Sequence, residues 1–207
     1  MTGTWSEGGV NVRAIRMLVG VGLLMLGPSA PLLAQQAGTV TVTACLPCHS
    51  GAAAPTFPSL DGQHAGYLEK QLREYKSGKR KSEVMAPLIA AMKKGQIPAL
   101  AAHFAGQTPG RGSVESQELA SRGKTLYEEG NRASGVPACV GCHLPNGTGA
   151  ERYPRLAGQR QTYTVQQLAD FKSGKRSNDR AHVMRLIAGR LTDDEMKAVA
   201  EYVAGLQ

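Results

Sequence analysis

Cys45-Leu46-Pro47-Cys48-His49 and Cys139-Val140-Gly141-Cys142-His143 are two copies of C-x-x-C-H, and between them they use all four cysteines of the 207-residue chain. In this spacing two thiols can add to the vinyl groups of a porphyrin while the adjacent imidazole reaches its iron, so each pentapeptide reads as an attachment site for haem c. Cys45, Cys48, Cys139 and Cys142 are therefore expected to hold two haem c groups covalently, with His49 and His143 as iron ligands. Other readings of these residues are weaker. A zinc ribbon sets its cysteine pairs roughly 15–20 residues apart; here they are 94 apart, and zinc gives no reason for a histidine after each pair. A thioredoxin-like redox pair needs a βαβ setting, and no alternation of strands with helices is visible.

The sixth ligand decides the chemistry. Histidine opposite a thioether sulfur closes the iron at raised potential, suited to carrying electrons, whereas an empty position permits ligand chemistry. After the first 34 residues the chain offers Met85, Met92, Met184 and Met196. Met85 follows the first Ser-Gly-Lys-Arg by a short loop and Met184 follows the second, at similar distances from Phe104 and Tyr202, so these two are the expected ligands. Met92 pairs with Leu191 in the other half and Met196 lies on an apolar stripe, the pattern of flexible core fillers. His182, two residues before Met184, is the alternative as a second histidine ligand. His64 and His103 align with Arg160 and Glu201 and read as solvent-facing positions.

The elements that position these groups come in duplicate. Residues 58–80 lie over residues 154–176 without a gap, with 12 identities in 23 positions, the mark of an internal duplication. Tyr67, Leu68, Gln71, Leu72 and Tyr75 form a helical stripe, as do Tyr163, Gln167, Leu168 and Phe171, each ending at a capping glycine, Gly78 or Gly174. Ile97, Leu100, Ala101 and Phe104 predict a helix, and so do Met196, Val199, Ala200 and Val203 behind the Thr192-Asp193-Asp194-Glu195 cap. Leu119, Gly123, Leu126 and Tyr127 predict one before the second motif, whereas Thr39-Val40-Thr41-Val42-Thr43 before the first is short and β-branched. The fold class is all-α. Halves this small bury too little surface to be secure alone, so a large apolar cofactor in each would complete the core.

Arg13 and Arg16, the apolar run 17–26, the Gly27-Pro28 break and Ala34 read as a secretory signal peptide over residues 1–34. The run is shorter than the ~20 apolar residues that span a bilayer. Leu32 is large for the third position before a cut, which keeps an uncleaved tether as the alternative. The expected organisation is an N-terminal domain over 35–107, a Pro/Gly/Ser-rich linker over 108–116 and a C-terminal domain over 117–207, in a periplasmic protein. The chain carries 24 Lys+Arg against 16 Asp+Glu. Lys76, Lys79, Arg80 and Lys81, with Lys172, Lys175, Arg176 and Arg180, make matching basic stretches at helix ends, read either as solvated dipole complements or as a docking face for acidic redox partners. Nucleic acid is excluded as a partner for an exported haem protein.

C-x-x-C-H, Pro-x-Leu-x-Gly-Gln, Tyr-x-x-x-Gln-Leu, Lys-Ser-Gly-Lys-Arg and a downstream Met, all twice, resemble the cytochrome c4 family over about residues 44–105 and 117–207. The resemblance implies two tandem class-I cytochrome c domains related by an approximate two-fold axis, with haem edges and propionates close at the interface. It also implies that the carbonyls of Pro58 and Pro154 accept the second ring N–H of His49 and His143. The function implied is electron transfer between respiratory partners, such as a quinol-oxidising complex and a membrane-bound terminal oxidase, with peripheral membrane association. The alternative is a haem subunit of a larger dehydrogenase with a flavoprotein partner. A dihaem enzyme ranks last, since nothing in the sequence supplies spare catalytic machinery. Asp61, where the other half has Ala157, places a carboxylate near the first haem, favours its oxidised form and predicts unequal potentials.

Overall fold

The computed structural model describes residues 42–51 and 55–207; the proposed signal peptide and most of the 39–43 stretch lie outside the described residues. In chain order the α-helices are α1 (Leu46–His49), α2 (Ala65–Lys76), α3 (Met85–Ala90), α4 (Gln96–Ala105), α5 (Gln117–Glu129), α6 (Val140–His143), α7 (Gln161–Lys172), α8 (Val183–Arg190) and α9 (Asp193–Gly205). Short 3-10 turns at Val42–Ala44 and Arg180–His182 precede α1 and α8. Among the described residues the β content is two isolated bridges, Asn131 with Val136 and Ala150 with Tyr153. The all-α expectation holds, and α1 to α4 recur in order as α6 to α9.

Each half folds around its own apolar cluster. Leu68, Ile89, Met92, Ile97, Leu100, Ala101 and Phe104 form the first; Leu126, Tyr127, Val136, Leu191, Met196, Val199 and Val203 form the second. Met92 and Met196 are each 1% exposed and fill these cores as expected. The helix ends explain why the elements stop where they do. Gly78 (φ 75°) and Gly174 (φ 77°) turn the chain in the left-handed region that side chains resist. Just before them, Lys76 Nζ donates to the carbonyls of Ile89, Ala90 and Met92, and Lys172 Nζ donates to Leu191 O at 2.7 Å. These two lysines therefore staple α2 to α3 and α7 to α8, satisfying carbonyls that a helix end leaves open. Thr192 and Glu195 close a reciprocal capping box at α9.

Gly62 and Gly158 (both φ 71°) anchor the halves in the same way: Gly62 N–H donates to Phe104 O at 2.8 Å and Gly158 N–H to Val203 O at 3.0 Å. A Cβ on either would strike the connecting segment, Pro109 in one case and the carbonyl of Gly110 in the other. The basic stretches and the four aligned positions need correction. Arg80 is 8% exposed, so it is not a solvated dipole complement. Glu201, read as solvent-facing, is 6% exposed and accepts from the backbone N–H groups of Glu115 and Ser116 at the start of α5. A buried carboxylate there satisfies donors that a helix N-terminus leaves unpaired. His103 is half-buried, its ring edge-on to Phe104.

Candidate functional site

The two motif histidines occupy equivalent environments. His49 and His143, at the ends of the one-turn helices α1 and α6, are buried. His49 Nδ1 lies 3.0 Å from Pro58 O, and His143 Nδ1 lies 3.0 Å from Pro154 O. A carbonyl only accepts, so Nδ1 carries the proton in each ring and Nε2 keeps its lone pair. Burial lowers both imidazole pKa values and outweighs the opposing carbonyl contact, which favours neutral rings, the form that binds a metal. The expected proline contacts are thus present in both halves.

The cysteines sit at the starts and within the turns of α1 and α6, and no disulfide joins them. Burial pushes the Cys139 thiol up to about 11 and raises that of Cys45 as well. Among the described residues no group of three or more His, Cys, Asp or Glu side chains converges as a metal cage would.

Both histidines face one cavity of about 1610 Å³ that runs through the two halves, and Met85 and Met184 line it too. Each methionine is held at the start of a short helix by a local clamp. Met85 N–H donates to Ser82 Oγ at 3.0 Å in front of α3. Before α8, Ala181 (φ 50°) and His182 (φ 61°) are both left-handed, and Asp179 accepts from Arg185 N–H at 3.0 Å and Arg185 Nε at 2.7 Å. His182 is exposed. Ser82 and Asp179 were not singled out from the sequence; a hydroxyl or carboxylate three or six residues ahead of its partner gives little periodic signal.

At the seam between the halves the two-fold repeat becomes a polar network. Arg80 donates to Gln71 Oε1 (2.8 Å), Gln167 Oε1 (2.9 Å) and Tyr163 OH (3.3 Å); Arg176 donates to Gln167 Oε1 (2.8 Å), Tyr67 OH (3.0 Å) and Gln71 Oε1 (3.2 Å). Every one of these acceptors is neutral, and Arg155 Nε, also at the cavity, is buried with no partner at all. Burial pushes the Tyr67 phenol up, yet the charges of Arg176 and Arg80 hold it below its ordinary value. Buried cations without carboxylates are costly. The buried Arg80, with the half-buried Arg176 and Arg155, beside a mainly apolar cavity fit an occupant that is a broad apolar ring bearing acid groups, which is the description of haem. His64 and Arg160, expected at the surface, also cross the seam. His64 Nε2 bonds Thr148 O at 2.8 Å, and Arg160 reaches Phe57 O at 2.6 Å and Gly51 O at 2.9 Å.

The comparisons with known proteins decide the family. The cytochrome c family model matches residues 120–207. The chain is 37% identical to a cytochrome c4 of Azotobacter vinelandii, covering 95% of this chain and 100% of that one. The chain belongs to the cytochrome c4 family. The reduced recombinant cytochrome c4 of Pseudomonas stutzeri superposes with a TM-score of 0.77 at 35% identity, over 83% of this chain and 97% of that one. A thiosulfate dehydrogenase electron acceptor of Stutzerimonas stutzeri is 36% identical over 91% of this chain and 94% of its own length. As a cytochrome c4, the protein has two tandem class-I cytochrome c domains and covalently bound haem c, and it serves electron transfer. The group supplies one-electron iron chemistry when bound; the motif cysteines and histidines would hold it, and the cavity would enclose it in largely apolar walls. Among the described residues no helix is long and apolar enough to cross a membrane.

Proposed function

We propose that Cys45 and Cys48, and Cys139 and Cys142, carry the thioether links to two haems, with His49 and Met85 as axial ligands of the first iron and His143 and Met184 of the second. The observation that carries this reading is the duplicated geometry: each motif histidine donates Nδ1–H to a proline carbonyl and faces the cavity that Met85 and Met184 line. Both irons are then six-coordinate, closed to substrates and built for outer-sphere electron exchange. Arg80, Arg176 and Arg155 take the haem carboxylates, which offsets the burial of Arg80 and supplies the buried Arg155 Nε with a partner. The domains run over 35–107 and 117–207 with 108–116 between them, and residues 1–34 direct export to the periplasm.

There the protein receives electrons from a quinol-oxidising complex or a dehydrogenase and passes them toward a membrane-bound terminal oxidase. Its exposed cations Lys79, Lys81, Lys175 and Arg180 offer a docking face for acidic partners. A second reading is favoured by the relative named as a thiosulfate dehydrogenase electron acceptor: this chain is the electron-accepting partner of a dehydrogenase, whether of thiosulfate or of the flavin-containing sulfide type. Optical and redox titration of the intact holoprotein tests the ligation. Two haems per chain with a sulfur-to-iron charge-transfer band in the ferric spectrum are expected. Loss of that band from neither half in M85A and M184A would refute the methionine assignment. Stable co-purification with a dehydrogenase would favour the second reading over the free carrier.

A further inference from the structure

The proline carbonyls that hold the two imidazoles are themselves held from across the seam. Gln159 Oε1 accepts the Ser59 N–H at 2.9 Å while Gln159 Nε2 donates to Ser59 O at 3.0 Å. In mirror fashion Gln63 Oε1 accepts the Arg155 N–H at 2.8 Å while Gln63 Nε2 donates to Arg155 O at 3.0 Å. Gln63 and Gln159 are both buried, at 6% and 8% exposure. The Ser59 N–H belongs to the same peptide group as the Pro58 carbonyl, and the Arg155 N–H to the same peptide group as the Pro154 carbonyl. That group is planar and conjugated. A chain therefore runs from Gln159 of the second half through the Pro58–Ser59 amide to His49 of the first half. A second chain runs from Gln63 of the first half through the Pro154–Arg155 amide to His143 of the second.

We propose that the two glutamines are crossed positioning residues: each half fixes and polarises the amide that orients the other half's axial histidine. The proposal rests on the axial ligation by His49 and His143 given above. Two physical effects act together. The bidentate clamp fixes where the carbonyl points, and so the ring orientation. Accepting the amide N–H also draws electron density onto the amide oxygen, strengthening it as an acceptor from Nδ1–H, since hydrogen bonds in series reinforce one another. A stronger acceptor makes the imidazole a better donor to iron and favours the oxidised state. The potential of each site is thereby referred to the integrity of the seam.

The signature is that the perturbation appears in the opposite half. In the holoprotein, Gln159→Met, which keeps the shape and removes the amide, raises the midpoint of the first-half haem and leaves the second nearly unchanged. Gln63→Met does the reverse. The haems are told apart by the hyperfine-shifted proton resonances of each half, and the axial His Nδ1–H of the affected half exchanges faster with solvent. A shift confined to the half that carries the mutation, or equal in both halves, or absent from a folded variant, overturns the proposal. Should a variant fail to fold, amide exchange in the wild type decides: Ser59 and Arg155 N–H must be protected together, and exchange at loop rates overturns the clamp. A ferric wild-type spectrum without histidine and sulfur ligation would instead overturn the ligation itself, leaving the two failures distinct.

Discussion

Glu201 shows how much one side chain can carry where α9 meets the start of α5. Its carboxylate accepts two backbone N–H groups, from Glu115 and Ser116, at the point where α5 begins. Hydrogen bonds to a charged group contribute about 1.5–3 kcal/mol, and a buried donor left unpaired costs about 1–3 kcal/mol. Glu201→Ala should therefore lower the stability of the holoprotein by about 2–4 kcal/mol, read from the denaturant midpoint, while the haem spectrum stays unchanged because the residue lies away from the ligands. A midpoint within error of wild type would show that water replaces the carboxylate freely. The same residue marks what the sequence hides. Aligning the halves pairs Glu201 with His103 and His64 with Arg160, and chemically unlike partners read as surface drift. In the folded protein His64 and Arg160 bridge the two halves, while Glu201 turns inward to the start of α5, so three of the four meet unlike neighbours in buried or bridging contacts. The motif histidines were legible because haem attachment fixes residue type and spacing; Gln63 and Gln159 were legible only as repeat residues and Arg155, opposite Ser59, not at all, since their role depends on what lies some 90 to 100 residues away.

Among the elements, the helices of ten or more residues were readable from periodicity: α2, α4, α5, α7 and α9 all lie where apolar stripes and caps put them, whereas the eight-residue α8 was not. The helices α1, α3 and α6 span four to six residues and bury one residue each, so their pattern holds no period to detect. Even α2 departs from a simple apolar stripe, since it buries Gln71 and Glu74 alongside Leu68 to meet the other half. The crossing of α5 over α9 offers a direct test of which local rule prevails. Gly123 is buried inside α5, where exchange for alanine should gain about 0.5–1 kcal/mol of helix propensity. A Cβ there would stand 2.0 Å from Ala198 O and 2.5 Å from its carbon, a backbone contact that can yield only by moving the helices apart. Overpacking of this kind costs about 1–3 kcal/mol or more, so Gly123→Ala should destabilise. Gly189, within α8 and exposed, has nothing within 4 Å of a built Cβ. There Gly189→Ala should stabilise by up to about 1 kcal/mol. Thermal unfolding of the two holoproteins, one down and one up, checks the pair; equal signs would mean that packing at the α5–α9 crossing is looser than described.

At the scale of the whole molecule, the two halves form a working pair only while the seam holds, and its outer edge is ionic. Glu74 of α2 accepts from Asn178 Nδ2 of the other half at 2.6 Å and from Lys70 Nζ at 2.7 Å, with Lys79 at 3.3 Å on its second oxygen; Lys70 also reaches Asn178 O at 2.8 Å. Burial alone would raise this carboxyl, but the hydrogen bonds from Lys70 and Asn178 and the charge of Lys70 hold it below the ordinary carboxylate range. The sign follows from linkage. In the unfolded chain the group takes up its proton near pH ~4.3, whereas the folded protein resists protonation to lower pH. Its stabilising contribution is therefore complete above about pH 4.3 and is lost as the pH falls through the lower folded value. Asp179, clamped to Arg185, and Glu195, in the α9 cap, are held low in the same direction and add to the acid slope. The holoprotein should accordingly lose stability as acid is added below about pH 4, and Glu74→Gln should start from a lower neutral plateau and show a shallower acid slope. Because Glu74 bridges the halves, the variant should also bring the two haem titration steps closer to those of independent sites at neutral pH, with Asp179→Asn changing the acid slope but leaving the steps apart as in wild type. Denaturant titrations from pH 3 to 7 with parallel redox titrations separate the two effects, and an unchanged slope in Glu74→Gln would remove this carboxylate from the seam's account.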